Sequence, residues 1–248
     1  MNEVMFLQMN GLINKRNIII MVLLVFLIVG SVVLYAYVST LNKTELEFNI
    51  HINEQMVYQS AFGESPTFAI WIEDPKTGQV QTIYATNRAA NNDWAGKAEV
   101  PVALPKWFEI RKAESNSDLG NEVPERMIIS GATPKPGYFS TRVRVNPKSE
   151  WICWIEMNLA GDYNETFKEY DPVAMTSDEF GMGQPALLYK AEIIANVGNT
   201  VVPDIAGMLI MDPENGTILK PLEGITTARE VFDEINIKVV NPKPKLIR

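Results

Sequence analysis

The segment Trp154–Asp171, WIEMNLAGDYNETFKEYD, gathers five oxygen-bearing side chains: Glu156, Asn158, Asp162, Asn164 and Glu165. Carboxylate and amide oxygens at this density are the ligands that hard cations such as calcium take. Glu156, Asn158, Asp162 and Asn164 therefore form a candidate metal set. The spacing is not that of an EF-hand: counted from Asp162, Thr166 and Lys168 stand at early loop positions, no glycine follows, and Val173 fills the twelfth place. Asp and Asn also close ordinary turns through bonds to their own backbone. Residue type alone leaves open a calcium- or carbohydrate-binding surface and a polar turn network. Glu156 and Asp162 would suit acid–base chemistry only where a cleft brings them face to face.

A second motif lies upstream. Ser130-Gly131-Ala132-Thr133, inside MIISGATPKPGY, matches a tetrapeptide on whose threonine some extracytoplasmic proteins carry a flavin. Thr133 is thus a candidate attachment point for FMN, which would make the chain an electron-transfer protein. The flavin-carrying pattern places an acidic residue where Met127 stands and a small or polar residue where Pro134 stands. Pro134 restricts Thr133 towards extended backbone, which suits a segment feeding a strand, and Gly131 and Gly137 bracket it as turn residues. A structural turn is the reading preferred here; a turn that touches a partner's flavin without carrying one lies between the two.

Other chemistry is narrowed by scarcity. Cys153 is the one cysteine, so no intrachain disulfide, thiolate cluster or CxxC pair can form. His51 is the one histidine, which removes His-rich metal sites and leaves none to spare for a catalytic triad. The net charge of −8 disfavours nucleic-acid binding and docking on anionic lipid. No convincing nucleophile or nucleotide motif appears, and the chain reads as non-catalytic. Trp71, Trp151 and Trp154 fall on strand patterns and suit a core, as does Cys153, whereas His51 suits a surface or interface.

The elements that position these residues begin with a membrane anchor. Ile18–Val38 holds no charge and no proline, long enough to span about 30 Å of hydrocarbon as a helix. Lys15 and Arg16 before it favour an N-inside orientation, which predicts a cytoplasmic tail at 1–17, an anchor at 18–38, a linker at 39–44 and an extracytoplasmic domain at 45–248. The apolar run is longer than the core of a cleaved signal and YAYVST is a poor cleavage site, so a retained anchor is expected.

Within the domain, period-two patterning predicts strands at 46–52, 67–74, 79–86, 138–145, 150–158, 186–195 and 235–240, with a hairpin over 206–222. DPKTG and NPKS read as hairpin turns. Thr227-Ala-Arg-Glu230 has the form of a capping box before a short helix. Residues 87–125 break the pattern and read as an irregular insertion anchored by Trp94, Trp107 and Phe108. Many short strands and little helix predict a mainly β fold, an antiparallel Ig-like β-sandwich. Asn42, Asn164 and Asn215 head N-x-Thr sequons.

The order AIWIEDPKTGQVQTIYAT, LPKW, SGATPKPG and WIEMNLAGDYNE resembles an uncharacterised family of predicted periplasmic proteins over residues 66 to 195. Its domain of unknown function is likened to the Ig-like part of a flagellar hook-assembly protein. The resemblance implies association with membrane flavoproteins, and hence a redox-accessory subunit in a membrane protein complex. The insertion at 87–125 and the loop at 158–172 are the expected contact surfaces.

Overall fold

The computed structural model describes residues 15–38, 40–91, 103–117, 130–131, 133–171, 173, 182–212 and 216–244. The chain divides into two compact units, Met1–Lys43 with Asn241–Arg248, and Thr44–Val240. The first unit contains α1 (Lys15–Val38). Its stretch Asn17–Val38, whose most apolar 18 residues have a mean hydropathy of 3.1, is long and apolar enough to cross a membrane. At about 1.5 Å per residue it rises roughly 33 Å.

The second unit is mainly β. Its strands are β1 (Thr44–Ile52), β2 (Thr67–Glu73), β3 (Val80–Thr86), β4 (Ser130–Gly131), β5 (Gly137–Val145), β6 (Glu150–Asn158), β7 (Ala186–Ile194), β8 (Thr200–Val201), β9 (Asp204–Asp212), β10 (Gly216–Lys220) and β11 (Phe232–Val240). Among the described residues they form two sheets, a smaller one in the order β5-β1-β11-β8 and a larger one in the order β10-β9-β7-β6-β2-β3-β4. The pairings are antiparallel except for the short parallel contact of β3 with β4. Short helices α2 (Glu54–Gln59), α3 (Asn87–Asn91) and α4 (Pro105–Ser117) complete the unit.

Alternation sets which faces meet. On β1, Leu46, Phe48, Ile50 and Ile52 are fully buried, while Glu45 and Glu47 alternate with them and pair with Arg144 and Arg142 across β5. From the larger sheet Phe68, Ile70, Ile72, Cys153, Ile155 and Met157 close the same core. Each large apolar side chain so buried contributes roughly 1.5–3 kcal/mol. Cys153 is enclosed there, and burial pushes its thiol up to about 12, leaving it inert.

The larger sheet is covered twice. Apolar residues on both faces of β6 predict this, and the second cover comes from the segment read as an irregular insertion. In its described part that segment is helical: α3 and α4 place Ala89, Ala90, Leu104 and Trp107 against Ala69, Trp71, Ala85, Ala186, Leu188 and Leu209. Alanines on the sheet leave room for the fully buried Trp107 indole. Phe108 packs at the margin of this second core, and Trp94 lies outside the described residues. Trp71 is buried and stacks on the partly exposed Trp154 with centroids 6.3 Å apart; Trp151 packs at the edge of the main core.

Local expectations meet the structure unevenly. DPKTG closes a hairpin: Gly78 N–H donates to Asp74 O at 2.8 Å with Gly78 at φ 69°. NPKS does not. It carries the chain from one sheet to the other, since β5 pairs with β1 while β6 pairs with β2 and β7. The core-facing residues of β5 and β6 belong to opposite walls of one core, so adjacency in sequence becomes a corner. The capping box over Thr227–Glu230 is a single 3-10 turn whose N-cap, Thr226, makes no side-chain capping bond. The last strand then starts at Phe232, earlier than expected.

Candidate functional site

The oxygen-rich segment follows β6, at the end of the sandwich opposite the one where the chain arrives at Thr44. Three stretches converge there: the loop after Asn158, the pair Gly183-Gln184 before β7, and the turn Gly224–Thr227. Gln184 is the hub. Its Nε2 donates to Asp162 Oδ2 and to Thr227 Oγ1, both at 2.6 Å, and its Oε1 accepts from Thr226 N–H at 2.7 Å. Thr227 Oγ1 donates to Asp162 Oδ1 at 2.6 Å. Gln184 O accepts from Asn158 Nδ2 at 2.9 Å, and Gln184 N–H donates to Asp162 O at 3.0 Å. Asp162 is buried, which raises its carboxyl above the ordinary range against the lowering effect of the Thr227 bond.

Asn164 extends the network outwards. Its Nδ2 donates to Gly224 O and to Thr226 Oγ1, each at 2.9 Å, while its Oδ1 accepts from Thr166 and Phe167 N–H at 2.9 and 2.8 Å. Both amide protons and the oxygen are thus engaged in holding a turn. Beyond it Glu165, Thr166, Lys168, Glu169, Tyr170 and Asp171 are exposed. Ala61 N–H donates to Gly161 O at 2.9 Å, which sets the exposed ring of Phe62 beside the same loop.

Close backbone approach is built in at Gly183, which has φ 71° and would place a Cβ 2.5 Å from Asp162 N. Gly183→Ala is expected to destabilise the protein by on the order of 3 kcal/mol, because it combines left-handed strain with a backbone clash. Urea unfolding followed by circular dichroism measures this directly.

Glu156 belongs to a different place. It points to the helix-covered face of β6, with no exposed surface, and its Oε1 and Oε2 accept from Lys106 and Trp107 N–H at 3.0 and 2.6 Å. These are donors in the first turn of α4, which opens with Pro105 after an apolar Leu104 that has no side-chain acceptor. A carboxylate from the sheet thus does the work of an N-cap and meets the positive end of the helix dipole. Burial pushes its pKa up to about 8, against the two backbone bonds that favour the charged form.

Of the four proposed ligands, then, Asp162, Asn164 and Asn158 share one hydrogen-bonded network and Glu156 stands apart as a helix cap. Asn158 Oδ1 is buried without a protein partner, and the other oxygens have protein donors. Among the described residues no three His, Cys, Asp or Glu side chains are grouped to hold a metal ion. Thr133 is half-buried in the link between β4, which pairs with Ala85 and Thr86 of β3, and β5. Met127 lies outside the described residues. His51 is partly exposed on the outer face of the smaller sheet, with Nδ1 2.6 Å from Asp233 Oδ1 and its ring 4.5 Å from that of Tyr138.

Gln184, Thr226 and Thr227 carry the network, and sequence reasoning did not assign them to it. Thr227 carried a signal, read as a helix cap, but its hydroxyl turns to Asp162 instead. Gln184 carried none, since nothing local distinguishes it from a surface glutamine.

The fold and this site define a chain with a helix able to cross a membrane and a two-sheet β domain that carries a hydrogen-bonded polar loop cluster. Compared with family models, curated proteins and solved structures, the chain finds no match in any of the three.

Proposed function

We propose that this protein is a non-catalytic, membrane-anchored accessory subunit that holds a partner through the loop cluster around Asp162. The observation that carries this reading is the contrast within one loop: Asp162 and Asn164 are locked from below and Phe167 packs against the core, while Glu165, Thr166 and Lys168–Asp171 are exposed. Ordering a loop in the free protein removes entropy that association would otherwise cost. Anchoring also keeps the domain near other membrane proteins at high effective concentration, so a modest interface suffices.

In this reading α1 is retained, the N-terminus lies inside, and the β domain stands outside the cytoplasmic membrane, as Lys15 and Arg16 favour. The likeness of the 66–195 region to a flavoprotein-associated family supports a membrane redox complex as the partner. Thr133 then acts as a turn and not as an FMN carrier.

The test is purification of the full chain from its native membrane in mild detergent, followed by mass spectrometry. Stoichiometric partner chains are expected, cross-linked through Lys168, and reduced at least about tenfold by Tyr170→Ala with Glu169→Ala, a loss of about 1.4 kcal/mol. Undiminished association in that variant would sink the interface, and the absence of any companion would sink the accessory role. The same spectra read the Thr133 peptide, where a flavin-sized mass would make the protein an electron carrier.

A further inference from the structure

Alternation along β5, β1 and β11 sends Tyr138, His51 and Glu234 to the outer face of the smaller sheet in one row, and Ser140, Asn49 and Asn236 in the next. Tyr138 is 81% exposed, and along these three strands it is the one exposed large apolar side chain among the described residues. Its ring rests on His51, with centroids 4.5 Å apart, and His51 Nδ1 lies 2.6 Å from Asp233 Oδ1. Asp233 reaches His51 through a bulge. His51 pairs with Glu234 but Ile52 with Phe232, so Asp233 is an extra residue on β11 whose side chain is turned outwards. In the second row Asn49 Nδ2 donates to Asn236 Oδ1 at 3.2 Å, and Asn236 Nδ2 donates to Glu234 Oε1 at 3.3 Å. Each amide spends one N–H in these bonds and keeps the other, and the hydroxyl-bearing Ser140 beside Asn49 is exposed.

This combination selects among ligands. A protein partner needs an apolar centre to bury, which three strands with a single exposed large apolar side chain do not supply. A polyanion needs clustered cations, whereas His51 faces Asp233 and Arg142 is paired with Glu47. A sugar ring meets both features of the face. Its C–H side stacks on an aromatic ring, and its hydroxyls donate and accept at once, as amides and a serine do. Successive rows stand about 7 Å apart along the strands, within reach of two neighbouring rings of one extended chain.

We propose that this face binds a β-1,4-linked hexose chain, with one ring on Tyr138 and the next over Asn49 and Asn236. The bonds among His51, Asp233, Asn49 and Asn236 fix the side chains before the sugar arrives, which lowers the ordering cost of binding. The site shares no residue with the loop cluster around Asp162 and does not rest on the role given to that cluster.

The test uses the full chain in a mild detergent without a sugar headgroup, titrated with cellotetraose and, separately, with chitotetraose. His51 is the one histidine, so its imidazole proton–carbon signal is read alone by NMR. That signal is expected to move saturably with at least one of the two sugars, with half-saturation at about 1 mM or below. Tyr138→Ala is expected to raise the half-saturation point at least about tenfold, while Tyr138→Phe, which keeps the ring, changes it less than about threefold. Asn49→Ala should raise it about three- to tenfold, and circular dichroism should be unchanged in all three variants, because both side chains lie on the solvated face. The Glu169→Ala/Tyr170→Ala variant should bind as wild type, which separates this site from the loop cluster. The absence of saturable movement with both sugars up to about 20 mM overturns the proposal. So does binding that survives Tyr138→Ala, which would place the sugar elsewhere.

Discussion

Glu156→Gln is expected to lower unfolding free energy by about 1–3 kcal/mol and to flatten the pH dependence of stability. The magnitude is that of one buried donor left facing another donor: a carboxyl group keeps a lone pair on each oxygen for the Lys106 and Trp107 N–H groups whether or not it is protonated, whereas an amide turns its NH2 towards one of them. The pH effect follows from linkage. In the folded protein burial raises the Glu156 pKa from 4.5 to about 8, so the native state holds a proton that the unfolded chain releases. The stability conferred by that proton is fully present below the unfolded value of 4.5, falls as pH rises, and is lost above about 8. Wild-type protein should therefore unfold at lower denaturant as pH climbs through this interval, and Glu156→Gln should not. A parallel decline in both proteins would show that the backbone N–H groups of Lys106 and Trp107 keep Glu156 ionised throughout. Because α4 covers Ala69, Ala186 and Leu188, loss of its cap should also speed hydrogen exchange across Pro105–Ser117.

Asp162→Ala is expected to cost about 2–4 kcal/mol and to loosen three loops together. The substitution removes the acceptor of two bonds at 2.6 Å, and leaves Gln184 Nε2 and the Thr227 hydroxyl short of a partner in a largely buried setting. Each such loss is worth roughly 1–3 kcal/mol, and the bond that remains between Gln184 and Thr227 limits the sum. The accompanying signature is hydrogen exchange: amides of 159–167, 183–184 and 224–231 should lose protection as one group, because Gln184 joins them. Protection lost only next to position 162 would mean that the three stretches are held independently. Asp162→Asn provides the comparison, since its amide oxygen still accepts one of the two bonds and about half of the effect should remain. In the proposed role, partner association should weaken in the same order, with the anchor unaffected.

The candidate metal set illustrates what sequence proximity conceals. Glu156 and Asn158 lie on one face of β6, as alternation dictates, yet the carboxylate of Glu156 turns to a helix some 50 residues earlier in the chain. Asp162 and Asn164 form polar turns as their residue types predict, but the group that unites them, Gln184, lies 22 residues beyond Asp162 in the chain. A polar side chain looks alike on a surface and at the centre of a buried network until packing removes the water around it. The corner at NPKS has the same origin. Its turn chemistry is local, whereas the choice between hairpin and sheet crossing depends on which wall of the core each strand joins.

By itself, the sequence determined what period and composition can encode: a membrane-length helix over 18–38, strands with buried alternate residues, hairpins at DPKTG and before β10, and a chemistry without disulfides or histidine clusters. These rest on local rules, spacing along one element and the conformational limits of Gly and Pro. The tertiary structure alone decided that α3 and α4 supply a third layer, that a sheet carboxylate caps α4, that Gln184 ties Asp162 to Thr227, and that Val240 lies beside Thr44. Each is a contact between residues far apart in the chain. Its free energy comes from excluding water and pairing buried groups, which no single segment can express before the sheets close.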